Sequence, residues 1–265
     1  MYSKSQLILK YFQYYFTASN SKGHGMHSPF VFEFITKVLN DKTIYREYEK
    51  VEALREQLLN ENRILEIEDF GAGSAVDKKR KRSISSIAKN AAKPKKFGQL
   101  LFRIVKHYQP ATILELGTSL GITTSYLSLA KPDARLITME GSKEITEVAK
   151  RNLRNLEIRN VGISEGNFDN TLSSVVYGLS TVDFAFIDGN HRQEPTERYF
   201  KEILAKTNND SILVFDDIHW SSEMEAAWET IKKDAAVTCS MDLYFIGIVF
   251  FRKEFKEKQH FTVRF

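Results

Sequence analysis

From residue 96 onward, short runs of apolar and β-branched residues alternate with stretches whose apolar positions recur every three or four residues. The first texture predicts strands over 112–116, 135–139, 158–164, 182–187, 211–215, 237–243 and 246–252. The second predicts helices near 97–108, 121–130, 142–155, 170–178, 193–206 and 222–234. Strands and helices in regular alternation are the pattern of βαβ units, which build a parallel sheet covered by helices. Too little chain separates 237–243 from 246–252 for a crossover helix, so these two strands pair as an antiparallel hairpin at the sheet edge. The expected fold is α/β: a Rossmann-like seven-stranded sheet, mostly parallel, with an antiparallel C-terminal hairpin strand.

Residues 1–95 follow a different pattern. Helical periodicity runs near 3–17, 29–40 and 45–60, broken by Gly23-His24-Gly25-Met26-His27-Ser28-Pro29 and by Asn40-Asp41. The first stretch carries Tyr11, Phe12, Tyr14, Tyr15 and Phe16, and an aromatic stripe at helical spacing reads as core or as a homodimer interface. Ile64 to Phe70 reads as a strand or extended segment leading into Gly71-Ala72-Gly73-Ser74 and then into the basic run Lys78-Lys79-Arg80-Lys81-Arg82. The chain thus divides into an N-terminal helical extension over 1–95, serving as lid, substrate or dimerisation region, and a larger domain over 96–265.

With 265 residues, 42% of them hydrophobic, the chain can bury a sizeable core. Lys and Arg total 38 against 34 Asp and Glu, and the resulting charge of +4 is too small to imply a nucleic-acid partner unless it is concentrated. Lys78 to Arg82 is such a local strip, and it keeps RNA open as a partner. The single cysteine, Cys239, excludes an internal disulfide framework and a cysteine-rich metal site, and it suits a reducing compartment, so a cytoplasmic location is expected. The longest apolar run, Tyr244 to Phe251, falls far short of the roughly 20 residues a membrane helix needs. Neither a membrane span nor a secretory signal is expected.

The chemistry concentrates at strand ends. Glu115-Leu116-Gly117-Thr118-Ser119-Leu120-Gly121 joins an apolar strand to a helix start with Thr123 in its first turn. Glycines at 117 and 121 let backbone approach a ligand, and a helix N-terminus favours a negative group. Nineteen residues after Gly121 comes Glu140, where an open α/β sheet places the carboxylate that accepts ribose hydroxyls. A nicotinamide dinucleotide would require G-x-G-x-x-G, and Ser119 stands at its middle glycine. Two later strands also end in acid, at Asp188 and at Asp216-Asp217. Carboxylates converging at strand ends call for a cation, and a hard divalent ion such as Mg²⁺ suits oxygen ligands; helix capping is the alternative use of such Asp residues. His191 follows Asp188 closely and is the candidate general base. His219 and Trp220 are candidates for a substrate pocket.

These residues together resemble the metal-dependent O-methyltransferases of the catechol and caffeoyl-coenzyme A type, and more closely their bacterial relatives with an Ile-Asp-Gly-x-His segment, here Ile187-Asp188-Gly189-Asn190-His191. The resemblance covers about 95 to 252, beginning at Phe97-Gly98-Gln99-Leu100-Leu101, and seven strands ending in an antiparallel pair are the layout of class I methyltransferases. It implies S-adenosylmethionine as cofactor, held by Glu115, Gly117, Thr118, Ser119, Gly121, Thr123, Glu140, Gly166, Asn167 and Asp188. It implies Mg²⁺ on Asp188, Asp216 and Asp217, the last replacing the family's Asn. His191 falls where the family has its catalytic Lys, so His191 and Asp188 are the implied catalytic pair. The implied reaction is methyl transfer to a hydroxyl of a small-molecule acceptor. Methylation of RNA through the basic strip is the runner-up, against which Asp188-Gly189-Asn190 stands where amine methyltransferases carry Asn-Pro-Pro-Tyr. A cofactor-binding module without catalysis is the third reading.

Overall fold

The computed structural model describes residues 1–19, 28–67, 81–90 and 93–265. His24, His27, Gly71 to Ser74, the end of the extended run at 68–70 and Lys78 to Arg80 lie outside the described residues. The chain divides into two compact units, one of Asp41–Val175 and one of Met1–Asn40 with Val176–Phe265.

The first unit, here the central unit, comes after α1 (Lys4–Thr17) and α2 (Pro29–Glu33) in the chain, opens with α3 (Arg46–Leu59) and continues through β1 (Ile64–Glu66), β2 (Lys81–Ser83), α4 (Ile84–Asn90) and α5 (Lys95–Tyr108). Then come β3 (Thr112–Leu116), α6 (Ile122–Ala130), β4 (Arg135–Glu140), α7 (Lys143–Asn155) and β5 (Val161–Glu165), with α8 (Phe168–Tyr177) at its end. Strands β3, β4 and β5 lie side by side and parallel, in chain order. The α5 face is set by Phe97, Leu100, Leu101, Ile104 and Val105, all buried at helical spacing, and the helix stops where Gln109 turns left-handed at φ 52°. Gly98 lets α5 approach α6 closely: a Cβ there would lie 2.5 Å from the Tyr126 ring. Tyr126 in turn donates a 2.6 Å hydrogen bond to Glu52 of α3, and Arg151 of α7 holds Glu61 with two hydrogen bonds of 2.9 and 2.7 Å.

The terminal unit contains α1 (Lys4–Thr17) and α2 (Pro29–Glu33), the latter continued by a π-helical turn over Phe34–Leu39. It resumes with β6 (Phe184–Ile187), α9 (Gln193–Leu204), β7 (Ile212–Asp216), α10 (Ser222–Lys233), β8 (Cys239–Asp242), β9 (Ile246–Phe250) and β10 (Gln259–Thr262). The strand order is β10-β8-β9-β7-β6. β6 and β7 are parallel, whereas β9 runs antiparallel to both β7 and β8. The hairpin expected at the end of the sheet is therefore present, but it does not form the edge. β10 adds a strand parallel to β8, so among the described residues, leaving aside the separate β1-β2 pair, the sheet strands number eight where seven were expected. Gln259-His260-Phe261-Thr262 follows a Lys-rich stretch and has one apolar residue in four, which leaves no strand signal in the sequence.

The helix expected over 29–40 also changes form midway. Phe34, Ile35, Val38 and Leu39 are all buried, and the wider π turn, closed by the Asn40 amide on the Ile35 carbonyl at 3.0 Å, turns all four inward. α1 is tied to the end of the sheet. Ser19 bridges Val263, and the Tyr14 hydroxyl donates to the Val263 carbonyl. Among the described residues no helix is long and apolar enough to cross a membrane.

Candidate functional site

In the central unit the loop after β3 is braced on β4. The amides of Gly117 and Thr118 both donate to the Met139 carbonyl at 3.0 Å, and the Asn152 side chain of α7 donates to the Leu120 carbonyl at 2.9 Å. Positive φ angles at Gly117 (103°), Ser119 (47°) and Gly121 (82°) alternate along it, the backbone form that wraps around a ligand. Glycine removes the penalty at 117 and 121, whereas Ser119 holds a left-handed conformation as a non-glycine.

Glu140 closes β4 beside this loop. Its carboxylate accepts from the Ser119 amide and from the Ser142 amide, both at 2.9 Å, so two backbone donors fix its orientation. Gly166 sits at φ 131° and its amide donates to the Glu140 carbonyl at 2.9 Å. The Asn167 side chain accepts from the Asp169 amide at the start of α8, a capping role. Thr118 is buried and shares a 2.6 Å hydrogen bond with Thr138, while Thr123 is half-buried in the first turn of α6.

Glu115 is fully buried. One carboxyl oxygen accepts from Thr124 and Thr138 at 2.5 and 2.6 Å, and the other has no hydrogen-bond partner among the described residues. Burial pushes its carboxyl up to about 7, against the two hydroxyl donors, which pull it down; the Glu140 charge adds to the rise. The folded value thus lies above the ordinary 4.5. The stability contributed by the neutral carboxyl is complete below about pH 4.5 and is lost as pH rises through about 7. Glu115→Gln, which stays neutral, is expected to gain on the wild type by on the order of 3 kcal/mol between pH 5 and pH 8. Urea unfolding at the two pH values measures this, and a gap that does not widen refutes it.

The terminal unit carries the second group. β6 delivers Asp188 just past its end, β7 ends in Asp216, and the turn after Asp188 brings back His191. One ligand atom from each of Asp188, His191 and Asp216 lies within 4.8 Å of the others. The His191 Nε2 is 3.5 Å from Asp188 Oδ1. Asp216 is buried, and the other two are half-buried. Asp217, the neighbour of Asp216, is not part of this group: it turns left-handed at φ 52°, and its amide donates to the Phe245 carbonyl at 2.7 Å.

His219 lies elsewhere in the unit, its ring nitrogens at 2.9 Å from Glu225 and 2.8 Å from Asp242. Burial opposes its charge, but hydrogen bonds and charge from Asp242 and Glu225 outweigh burial and hold the imidazole above its usual range. Glu225 also takes Lys10 and the Tyr2 hydroxyl, so this cluster anchors α1. Trp220 has its ring centroid 6.5 Å from that of His191. Thr124, Thr138 and Ser142 were not foreseen; the sequence offered only that hydroxyl residues recur beside the loop and the β4 end. Cys239, whose thiol burial raises to about 12, is an inert member of β8.

Residues 114–218 match the model of a family described as a methyltransferase domain. The release factor glutamine methyltransferase of Escherichia coli (strain K12) is 27% identical over 93 residues, 34% of either chain. A catechol O-methyltransferase of Niastella koreensis is 32% identical over 126 residues, 46% of this chain and 55% of that one. The chain thus spans between a third and just over half of the length of these relatives. Among solved structures, a methyltransferase of Podospora anserina bound to SAH superposes with a TM-score of 0.59 at 14% identity, covering 86% of this chain and 100% of the other. At that identity the likeness is one of fold. Residues 114–218 thus carry a methyltransferase-domain match, and the chain shares the fold of the solved methyltransferase.

Proposed function

We propose that the chain transfers a methyl group from S-adenosylmethionine to an oxygen of a small hydroxylated acceptor, assisted by a divalent cation. The observation that carries this reading is the grouping of Asp188, His191 and Asp216 within 4.8 Å. Two carboxylates and an imidazole fit a divalent ion. The imidazole shifts the preference from Mg²⁺, the ion implied by the sequence, toward Mn²⁺ or another ion that accepts nitrogen. With His191 as a third donor, its role changes from general base to ligand.

On the cofactor side, the braced loop from Gly117 to Gly121 supplies a rigid backbone surface. Glu140, oriented by two amides, accepts the ribose hydroxyls. The unpartnered, buried oxygen of Glu115 is the atom of this site that gains most from a polar ligand group. A bound cation supplies a lowered pKa for the acceptor hydroxyl. Orientation of acceptor and donor supplies the remaining rate. The release factor relative methylates, by its name, a glutamine, but the oxygen-and-imidazole donor set here favours an acceptor that itself offers oxygen.

Calorimetric titration with S-adenosylmethionine, in the presence of Mn²⁺, Mg²⁺ or a chelator, tests the reading, followed by methyl-transfer assays on catechol-like and sugar acceptors. Glu140→Ala is expected to weaken cofactor binding by about 10- to 100-fold through loss of the ribose hydrogen bonds. Transfer that proceeds unchanged in chelator removes the metal from the proposal. Failure to bind the cofactor removes the proposal entirely.

A further inference from the structure

β7 and β9 pair antiparallel with Asp216 opposite Ile246, so the turn leaving Asp216 and the turn entering Ile246 meet at one end of these strands. The first turn, 217–220, is closed by the Trp220 amide on the Asp217 carbonyl at 2.9 Å and joined to the second by the Asp217 amide on the Phe245 carbonyl at 2.7 Å. It begins beside Asp216 and ends at Trp220, whose ring centroid lies 6.5 Å from that of His191. Asp217 at φ 52° and Tyr244 at φ 71° both hold left-handed backbone without being glycine. Backbone of that kind persists where its surroundings over-determine it.

Residues 2–14 of the same unit supply those surroundings. The Tyr2 amide donates to the Trp220 carbonyl at 3.3 Å, and the Tyr2 hydroxyl donates to Glu225 at 2.7 Å. Lys10 of α1 donates to both oxygens of that carboxylate at 3.0 Å and stands 4.5 Å over the Tyr2 ring. Glu225 in turn holds one ring nitrogen of His219 at 2.9 Å, while Asp242 holds the other at 2.8 Å. The Tyr244 hydroxyl donates to the Leu7 carbonyl at 2.8 Å, and its ring stacks on His219 with centroids 5.2 Å apart. Charge-assisted bonds that share one carboxylate reinforce one another, so removing a donor loosens the rest. Bonds that only anchored α1 could all end near the last strand, where Tyr14 already reaches the Val263 carbonyl. These end on the turn that carries Trp220.

We propose that Tyr2 and α1 act as a strap that positions turn 217–220, clasped by Lys10 on Glu225, and so hold Trp220 beside His191 and keep Asp216 aimed into the acidic group. Lys10, Glu225 and His219 are positioning residues, acting through the turn. The effect on a cation rests on Asp188, His191 and Asp216 being a cation site; the placement of Trp220 does not.

Lys10→Met in the full chain is the test, and Lys10→Arg, which returns a charged donor to Glu225, is its rescue. Acrylamide quenching of tryptophan fluorescence is expected to rise roughly twofold in Lys10→Met, and it reports Trp220 because Trp228 is 1% exposed. Mn²⁺ binding, measured by calorimetry, is expected to weaken about tenfold, the low end for residues that orient a metal site from outside it. Affinity for S-adenosylmethionine without added cation is expected to stay at that of the wild type. Lys10→Arg is expected to return both readouts to wild type. Val31→Ala, which opens a cavity under the fully buried Val31 of α2, lowers stability away from the turn and is expected to move neither. Unchanged quenching in Lys10→Met, or an equal rise in Val31→Ala, overturns the proposal. So does wild-type Mn²⁺ affinity in Lys10→Met. If the wild type itself binds no Mn²⁺, the cation reading fails and quenching alone decides the strap.

Discussion

Gly247→Ala is expected to cost the protein about 3 kcal/mol of stability, lowering the unfolding temperature by roughly 6–12 °C. Gly247 lies in β9, between β7 and β8, opposite Phe215 on one side and Asp242 on the other. A Cβ at this position would come within 2.7 Å of two carbons of the Trp228 ring and 2.9 Å of a third. Trp228 is a rigid side chain only 1% exposed, so the ring has no room to withdraw. The strand cannot move either, because it is hydrogen-bonded on both edges. Glycine here is required by the close approach of α10 to the sheet, which outweighs its poor strand propensity. Thermal unfolding measures the effect. Gly162→Ala, where an added Cβ meets nothing within 4 Å, is the control expected to stay near wild type. Trp228→Phe in the Gly247→Ala background is expected to recover part of the loss, and strictly additive losses would place the strain elsewhere.

The second large effect is expected at the acidic group. Asp216→Ala should weaken divalent-cation binding by on the order of 100-fold, at least the loss seen when a supporting residue of a metal site is removed. Methyl transfer should fall by a similar factor or more, while S-adenosylmethionine affinity without added cation stays close to that of the wild type. The comparison between His191→Ala and Asp217→Ala is sharper. The geometry includes His191 with Asp188 and Asp216 and leaves Asp217 outside. His191→Ala is therefore expected to cost more cation affinity than Asp217→Ala. Titration calorimetry with Mn²⁺ decides the order, and the reverse ranking would restore the ligand set implied by the family resemblance.

That ranking marks where the sequence ceased to be informative. Asp216 and Asp217 are adjacent, and composition and strand periodicity treat them alike. Only Asp216 belongs to the strand, whereas Asp217 takes up a left-handed backbone that reverses the chain toward Phe245. Which of two neighbouring carboxylates joins a site depends on one dihedral angle, and no pattern in the sequence encodes it. The loop from Glu115 to Gly121 and the carboxylate of Glu140 were legible, because strand, turn and helix start follow one another within a few residues. The paired strands β6 and β7 were legible for a similar reason: each is a short apolar run ending in acid. β10 and the π turn depend on distant partners. Thr262 and its neighbours become a strand only because β8 offers an edge, and Phe34 to Leu39 widen their turn to bury four side chains on one side. The aromatic stripe of α1 was legible as a stripe, but its division between an attached Tyr14 and an outward Phe12 and Phe16 was not.

The attachment of α1 also governs when the protein can fold during synthesis. The terminal unit is assembled from Met1–Asn40 and Val176–Phe265, whereas Asp41–Val175 is one uninterrupted stretch. The bond from Tyr14 to Val263 spans 249 positions. At about 5–20 residues per second, α1 leaves the ribosome roughly 10–50 s before the strand that receives it. During that interval the β3-β4-β5 set already has all of its own residues, while both faces of α1 remain uncovered. A nascent chain of this protein therefore carries α1 without its receiving strand for most of its synthesis. Refolding from denaturant, in which all residues are present from the start, imposes no such wait.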